Sequence, residues 1–281
     1  MKLIRLNGKA LRYLINTGNY KTVLISFHHG LGDAISFYYN ALPVIKAEYP
    51  TMEFYFDTHM GQDALFGYVD KDIYKYDIVV DVVFPCSEWD VWSNETKAER
   101  CLRIEFDIDK IVQAENYDTK ETYTSPLVGV HYKSTSSVSL CCNEEIGKKI
   151  WDKITNSGLI PIDTAFVHPQ ATIEQHPFKF QDRNVDLIKP DAKLLFNLIA
   201  TLGGFAGVAS GNFWTALCTL PPKKILFIET DFPVTKLTRL PVHHMRGYSE
   251  AVMEEWLNDI KGLYPNGYKN DENGVKAPDR V

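Results

Sequence analysis

Short apolar runs alternate along this chain with amphipathic stretches of helical length, the pattern of an α/β fold. The first clear run, Val23-Leu24-Ile25-Ser26-Phe27, is apolar at nearly every position, as in a strand buried on both faces. A turn, His28-His29-Gly30-Leu31-Gly32, leads to Asp33 and into a helix predicted over 34–49, with Ile35, Tyr38, Leu42 and Ile45 near one face. Pro43 falls inside that helix and predicts a kink. Further strands are predicted at 52–57 and 77–84, then a charged helix over 95–113. Residues 116–126 are polar and without period, which predicts a linker. After it the alternation restarts, with strands predicted at 127–131, 159–163, 185–188, 205–208 and 224–228. The intervening helices are predicted over 143–156, 190–202 and 213–220, and a last one over 249–263 with Ser249 as its N-cap.

The restart implies two Rossmann-like lobes facing a central cleft. The expected division is an N-terminal domain over 1–118, a C-terminal domain over 126–248, a helix at 249–264 packing back on the first domain, and a loose tail at 265–281. Ligands of such sheets bind beyond the carboxyl ends of the strands, which directs attention to the loops after Phe27, His131 and Val208.

Composition narrows the class. At 281 residues with 45% hydrophobic and 23% charged positions, the chain is not a largely disordered one. No apolar run approaches the ~20 residues of a membrane span, and Met1-Lys2-Leu3-Ile4-Arg5 does not open like a secretory signal. The five cysteines match no zinc-ligand spacing, and Cys141 and Cys142 are adjacent, so free thiols in a reducing, cytoplasmic setting are expected. A net charge of −6 argues against a binder that holds nucleic acid by phosphate contacts alone.

Three segments can carry chemistry. In Gly30-Leu31-Gly32-Asp33 the glycines permit a sharp turn with accessible amides, and Asp33 either caps the helix or serves as a base towards an acceptor hydroxyl. It is no dinucleotide fingerprint, because no third glycine follows. In His131-Tyr132-Lys133-Ser134-Thr135 an ammonium among hydroxyls suits a diphosphate, though an ordinary polar loop reads the same way. In Ala209-Ser210-Gly211-Asn212-Phe213-Trp214 a small-residue turn opens a helix whose amides can hold phosphate, while Trp214 either stacks on a ligand or packs in the core. His28 and His29 sit in the first loop and complete no metal site; His243 and His244 are expected as a surface pair in a loop, and Thr230 borders the cleft after the last sheet strand.

The strand, the Gly-Leu-Gly-Asp turn, and a helix carrying Ala41-Leu42-Pro43-Val44-Ile45-Lys46 resemble the opening of the ADP-heptose:lipopolysaccharide heptosyltransferases, glycosyltransferase family 9. Ser210-Gly211 resembles the family's Ser/Thr-Gly core, with Ala209 where the family has Asp and Trp214 where it has His. The family's histidine-proline-glycine version of the loop after His131 is not reproduced. The resemblance implies a GT-B fold and an inverting, metal-independent glycosyltransferase without a cofactor, a nucleotide-diphosphate sugar being its co-substrate. It implies Asp33 as catalytic base, and His131, Lys133, Ser134, Thr135, Ser210, Gly211, Asn212, Trp214 and Thr230 around the donor. His28, His29, Gly30 and Gly32 would face the acceptor, a glycan or lipid-linked glycan. A hydroxymethylated DNA base is the alternative acceptor, which would call for a basic patch including Lys236, Arg239 and Arg246. A non-catalytic nucleotide-sugar-binding protein of the same fold is the reading from a different class.

Overall fold

The computed structural model describes residues 4–6, 8–18, 20–58, 62–82, 95–112, 125–134, 141–164, 192–230 and 238–262. Its strands form two all-parallel sheets. The first holds β1 (Ile4–Leu6), β2 (Thr22–Phe27), β3 (Glu53–Thr58) and β4 (Ile78–Asp81) in the order β1-β4-β2-β3. The second holds β5 (Leu127–His131), β6 (Ile160–Asp163), β7 (Gly204–Gly207), β8 (Ile225–Glu229) and β9 (His243–Arg246) in the order β6-β5-β7-β8-β9. Burial follows the apolar runs: Val23, Leu24, Ile25 and Phe27 of β2 are all buried, as a central parallel strand requires.

Chain order within each sheet sets where a ligand can sit. β2 is followed by β3 on one side and by β4 on the other, so the first sheet reverses direction between β2 and β4. The second sheet repeats this around β5, with β6 on one side and β7 on the other. At such a switch point the loops leaving neighbouring strands diverge and open a crevice. The loops after β2, β5 and β7 are the three singled out from the sequence.

The helix predicted over 34–49 is three pieces: α2 (Leu31–Ser36), a π-helical stretch (Phe37–Ala41) and α3 (Leu42–Glu48). Pro43 lacks an N–H and its ring crowds the carbonyl four residues back. The chain answers with a wider turn, in which the Leu42 amide donates to the Phe37 carbonyl five residues away. Pro43 then occupies the first turn of α3, where proline is tolerated.

Four elements depart from expectation. β1 and the helix α1 (Gly8–Thr17) precede the first predicted strand. His243 and His244 lie in the edge strand β9, paired with β8, and not in a loop. The last helix, expected to pack on the first domain, is α9 (Glu250–Gly262), and among the described residues it packs on the second sheet. Its apolar face, Met253, Trp256, Leu257 and Ile260, is buried against the second sheet, and Trp256 Nε1 donates to the Lys224 carbonyl at 3.0 Å. The linker 116–124, the strand at 185–188 and the tail lie outside the described residues. No helix of the described residues is long and apolar enough to cross a membrane.

The helices α7 (Ala192–Ala200) and α8 (Gly211–Thr219) bring the lobes together. One apolar cluster contains Phe27, Phe37 and Ile45 of the first lobe and Leu195, Phe213 and Leu217 of the second.

Candidate functional site

The loop after β2 folds as its glycines suggest. Gly30 is the N-cap of α2, its carbonyl accepts the Ala34 amide at 3.0 Å, and Asp33 falls in the first turn. The N-cap is thus Gly30 and not Asp33. The Asp33 carboxylate, near the positive end of the helix, is paired with the ammonium of Lys97. The side chains of Asp33 and Lys97 are 21% and 15% exposed.

The loop after β7 is built on the same plan. Ser210 caps α8, its Oγ accepting the Phe213 amide at 3.3 Å. The beginnings of α2 and α8 touch. A Cβ placed on Gly32 would lie 2.9 Å from Trp214 Cδ1 and 3.3 Å from both Gly211 Cα and Gly211 N. A Cβ on Gly211 would in turn lie 3.4 Å from Gly32 N. Glycine is needed at position 32 because a backbone and an indole edge approach it more closely than a Cβ allows, whereas a Cβ on Gly211 would make ordinary van der Waals contact. The two segments noticed independently in the sequence are thus one place in the molecule.

Trp214 is 6% exposed, its ring edge against Gly32, so its contacts are with protein. Asn212 is also inside the fold, with Nδ2 donating to the Thr164 carbonyl at 2.5 Å and tying α8 to the end of β6. Gly211 and Ser210 are half-buried at the helix start. After β5, Lys133 is half-buried and Ser134 buried, while Thr135 lies outside the described residues. Thr230 is half-buried at the end of β8.

His131 lies beneath this surface. It is 3% exposed, and its Nδ1 has no hydrogen-bond partner among the described residues. Burial lowers its pKa from 6.5 to about 4, so the ring is neutral at pH 7. Between these values the unfolded chain binds a proton that the folded protein refuses. Stability therefore falls as pH drops through this window, by about 3 kcal/mol in total. A His131→Leu variant is expected to show a flatter unfolding free energy between pH 6.5 and 4 in urea titrations. A slope equal to the wild type's would refute this.

His28 and His29 diverge. His28 is exposed and its Nε2 lies 3.3 Å from Asp57 Oδ2 at the end of β3. His29 turns inward, its Nε2 3.1 Å from the Val82 carbonyl, and closes the ends of β2 and β4. His243 and His244 meet Asp259 and Glu229 at 3.0 and 2.9 Å. Among the described residues, no group of three His, Cys, Asp or Glu side chains could hold a metal ion.

The sequence reading missed the support beneath Asp33. Lys97 is the first residue of α5 (Lys97–Phe106), whose start is a full capping box: the Thr96 amide donates to Glu99 Oε2 at 2.8 Å, and the Glu99 amide to Thr96 Oγ1 at 3.3 Å. Glu99 is 4% exposed and also accepts the Val112 amide at 2.9 Å and both ends of the Arg239 fork, with Arg239 Nη2 at 2.8 Å. Burial pushes the Glu99 carboxyl up, but Arg239 and the two amides outweigh it and hold it below the usual range. Arg239 is thereby committed within the protein and not to a surface patch. Of its proposed companions, Arg246 is exposed and Lys236 lies outside the described residues.

A small cavity of mixed lining, with space for about one water molecule, lies one to two turns along the helix from Asp33. Ser36, Asn40, Thr96, Thr238 and Arg239 line it beside Ala98, Val112 and Trp214. Ser36 Oγ and Asn40 Oδ1 are buried and have no hydrogen-bond partner among the described residues.

Two parallel sheets with their switch-point loops meeting between them define a GT-B architecture. The solved structures of similar fold agree. The chain resembles the iron-containing dodecameric glycosyltransferase TibC of enterotoxigenic E. coli H10407 with a TM-score of 0.56 and 13% identity, covering 82% of this chain. It resembles E. coli ADP-heptose LPS heptosyltransferase II with a TM-score of 0.52 and 11% identity, over 86% of this chain and 98% of that one. E. coli heptosyltransferase WaaC, solved with ADP, matches at 0.51 and 12% identity over the same shares. The chain spans 65% of the length of TibC, a protein also seen in complex with ADP-D-beta-D-heptose. No protein-family model matches this sequence, and no curated protein does. At these identities the likeness is one of fold.

Proposed function

We propose that this protein is an inverting, metal-independent glycosyltransferase that moves a sugar from a nucleotide-diphosphate sugar to a hydroxyl of a glycan acceptor. The observation that carries the reading is the contact between Gly32 and Gly211, which sets a carboxylate beside the start of a capped helix. The fold's likeness to heptosyltransferases, one of them solved with ADP, supports a nucleotide-diphosphate donor.

In this reaction Asp33 takes the proton of the acceptor hydroxyl. The oxygen attacks the anomeric carbon from the face opposite the diphosphate, the bond to the diphosphate oxygen breaks with its electron pair, and the configuration inverts. The amides opening α8, together with Lys133 and the hydroxyl of Thr135, offset the charge gathering on the leaving group. With the two loops in contact, donor entry requires them to part, so closure and catalysis are coupled.

Calorimetric titration with ADP-, UDP-, GDP- and dTDP-linked hexoses and heptoses tests the reading. Binding of at least one, with release of its nucleoside diphosphate when a glycan acceptor is added, is expected. Binding without any turnover would leave a nucleotide-sugar-binding protein, and binding of none would defeat both.

A further inference from the structure

We propose that Lys97 is a positioning residue for the reaction, orienting the carboxylate of Asp33 from a helix start that Arg239 of the second lobe locks in place. This inference rests on the glycosyltransferase reading of Asp33 and extends it to residues that no motif includes.

The geometry is that of a built support. Lys97 and Asp33 are 64 positions apart in sequence and meet through tertiary packing alone. Each is less than a quarter exposed, unlike surface pairs such as Lys148 with Asp152, which are 56% and 49% exposed. Holding a lysine side chain in one conformation costs rotamer freedom. A surface pair returns little of that, whereas a shielded one is screened less by water.

The base of Lys97 is itself fixed. Thr96 and Glu99 cap α5 reciprocally, and Glu99 is held by the Val112 amide and by the Arg239 fork. Polar contacts thus run without a break from Arg239 through Glu99 and the first turn of α5 to Lys97 and Asp33. Arg239 arrives from the second-lobe segment that leads into β9, so this chain of contacts crosses between lobes. When Arg239 is seated, the start of α5 is fixed and the Lys97 ammonium holds the Asp33 carboxylate in one orientation. A carboxylate held this way has a smaller set of orientations to search before proton transfer.

A purely structural pair would affect folding and nothing else, so the test is a kinetic double-mutant cycle. Release of nucleoside diphosphate from the nucleotide sugar that the wild type turns over is measured for Lys97→Met, Lys97→Arg, Asp33→Asn and Lys97→Met with Asp33→Asn. Lys97→Met is expected to lower kcat about 10- to 100-fold with KM for the donor changed less than about threefold. Lys97→Arg is expected to recover part of the loss. In the Asp33→Asn background, adding Lys97→Met is expected to change kcat less than about twofold, because the lysine acts through the carboxylate. An equal loss in both backgrounds, or a change in KM alone, overturns the proposal. Crystal structures of the wild type and Lys97→Met are compared alongside, with Lys97→Gln replacing it should that variant not fold. Rotation of the Asp33 carboxylate away from its present place is expected. An unmoved carboxylate overturns the proposal whether or not any nucleotide sugar is turned over, whereas absence of turnover in the wild type tells against the glycosyltransferase reading.

Discussion

Asp33→Asn is expected to lower kcat for transfer by about 10²–10⁴-fold, the range that a positioned general base contributes. The replacement keeps shape and hydrogen-bonding capacity but cannot accept the hydroxyl proton. KM for the donor should change little, because the carboxylate acts on the acceptor. Melting should also change modestly: Lys97 keeps an amide oxygen to contact, and its side chain is 15% exposed, so water retains some access to the ammonium. Steady-state release of nucleoside diphosphate with wild type and variant measures this. Turnover within about twofold of wild type would remove Asp33 from the mechanism.

The second large effect is at Gly32, where the variant Gly32→Ala adds a single methyl group. That methyl would stand 2.9 Å from Trp214 Cδ1, closer than carbon atoms approach without moving, and 3.3 Å from the Gly211 backbone. Trp214 is 6% exposed and Gly211 begins a helix, so neither can yield freely. Overpacking of this kind costs about 1–3 kcal/mol. The strain falls on the contact that unites the two loops, so activity should suffer beyond the loss of stability. Thermal melts and turnover are measured together. A melting temperature within a degree of wild type with full activity would show that the close approach of Gly32 and Gly211 is unimportant. Adding Trp214→Phe should recover part of the melting temperature if the indole edge is the obstacle, because the two sites touch and their costs will not add.

Much of the fold was legible because its signals are local. The apolar run at β2, the restart at β5 and the small residues after β2 and β7 each announce themselves within a few positions. The linked loops were legible one by one, but their contact was not. Gly32 and Gly211 meet only because two separate sheets pack through α2 and α8, and no local pattern encodes that. Lys97 is hidden for the same reason: at the head of a charged helix it reads as solvated surface, and its partner is supplied by distant chain. The edge strand β9 escaped notice because only Met245 of its four residues is buried, so its pairing with β8 defines it more than its apolar content does. The amphipathic face of α9 was visible, but amphipathicity does not name the sheet that receives it. At Pro43 the sequence announced a disturbance, and only the structure shows it absorbed by a π-helical turn.

The loops after β2 and β7 are expected to act as one site for a nucleotide diphosphate. In amide-resolved NMR during titration with ADP, UDP and GDP, the amides of Gly32 and Asp33 and those of Gly211 and Asn212 should shift together, along one saturation curve, for at least one of the three. Shifts confined to a different surface, or no saturable shift in either loop, would contradict it.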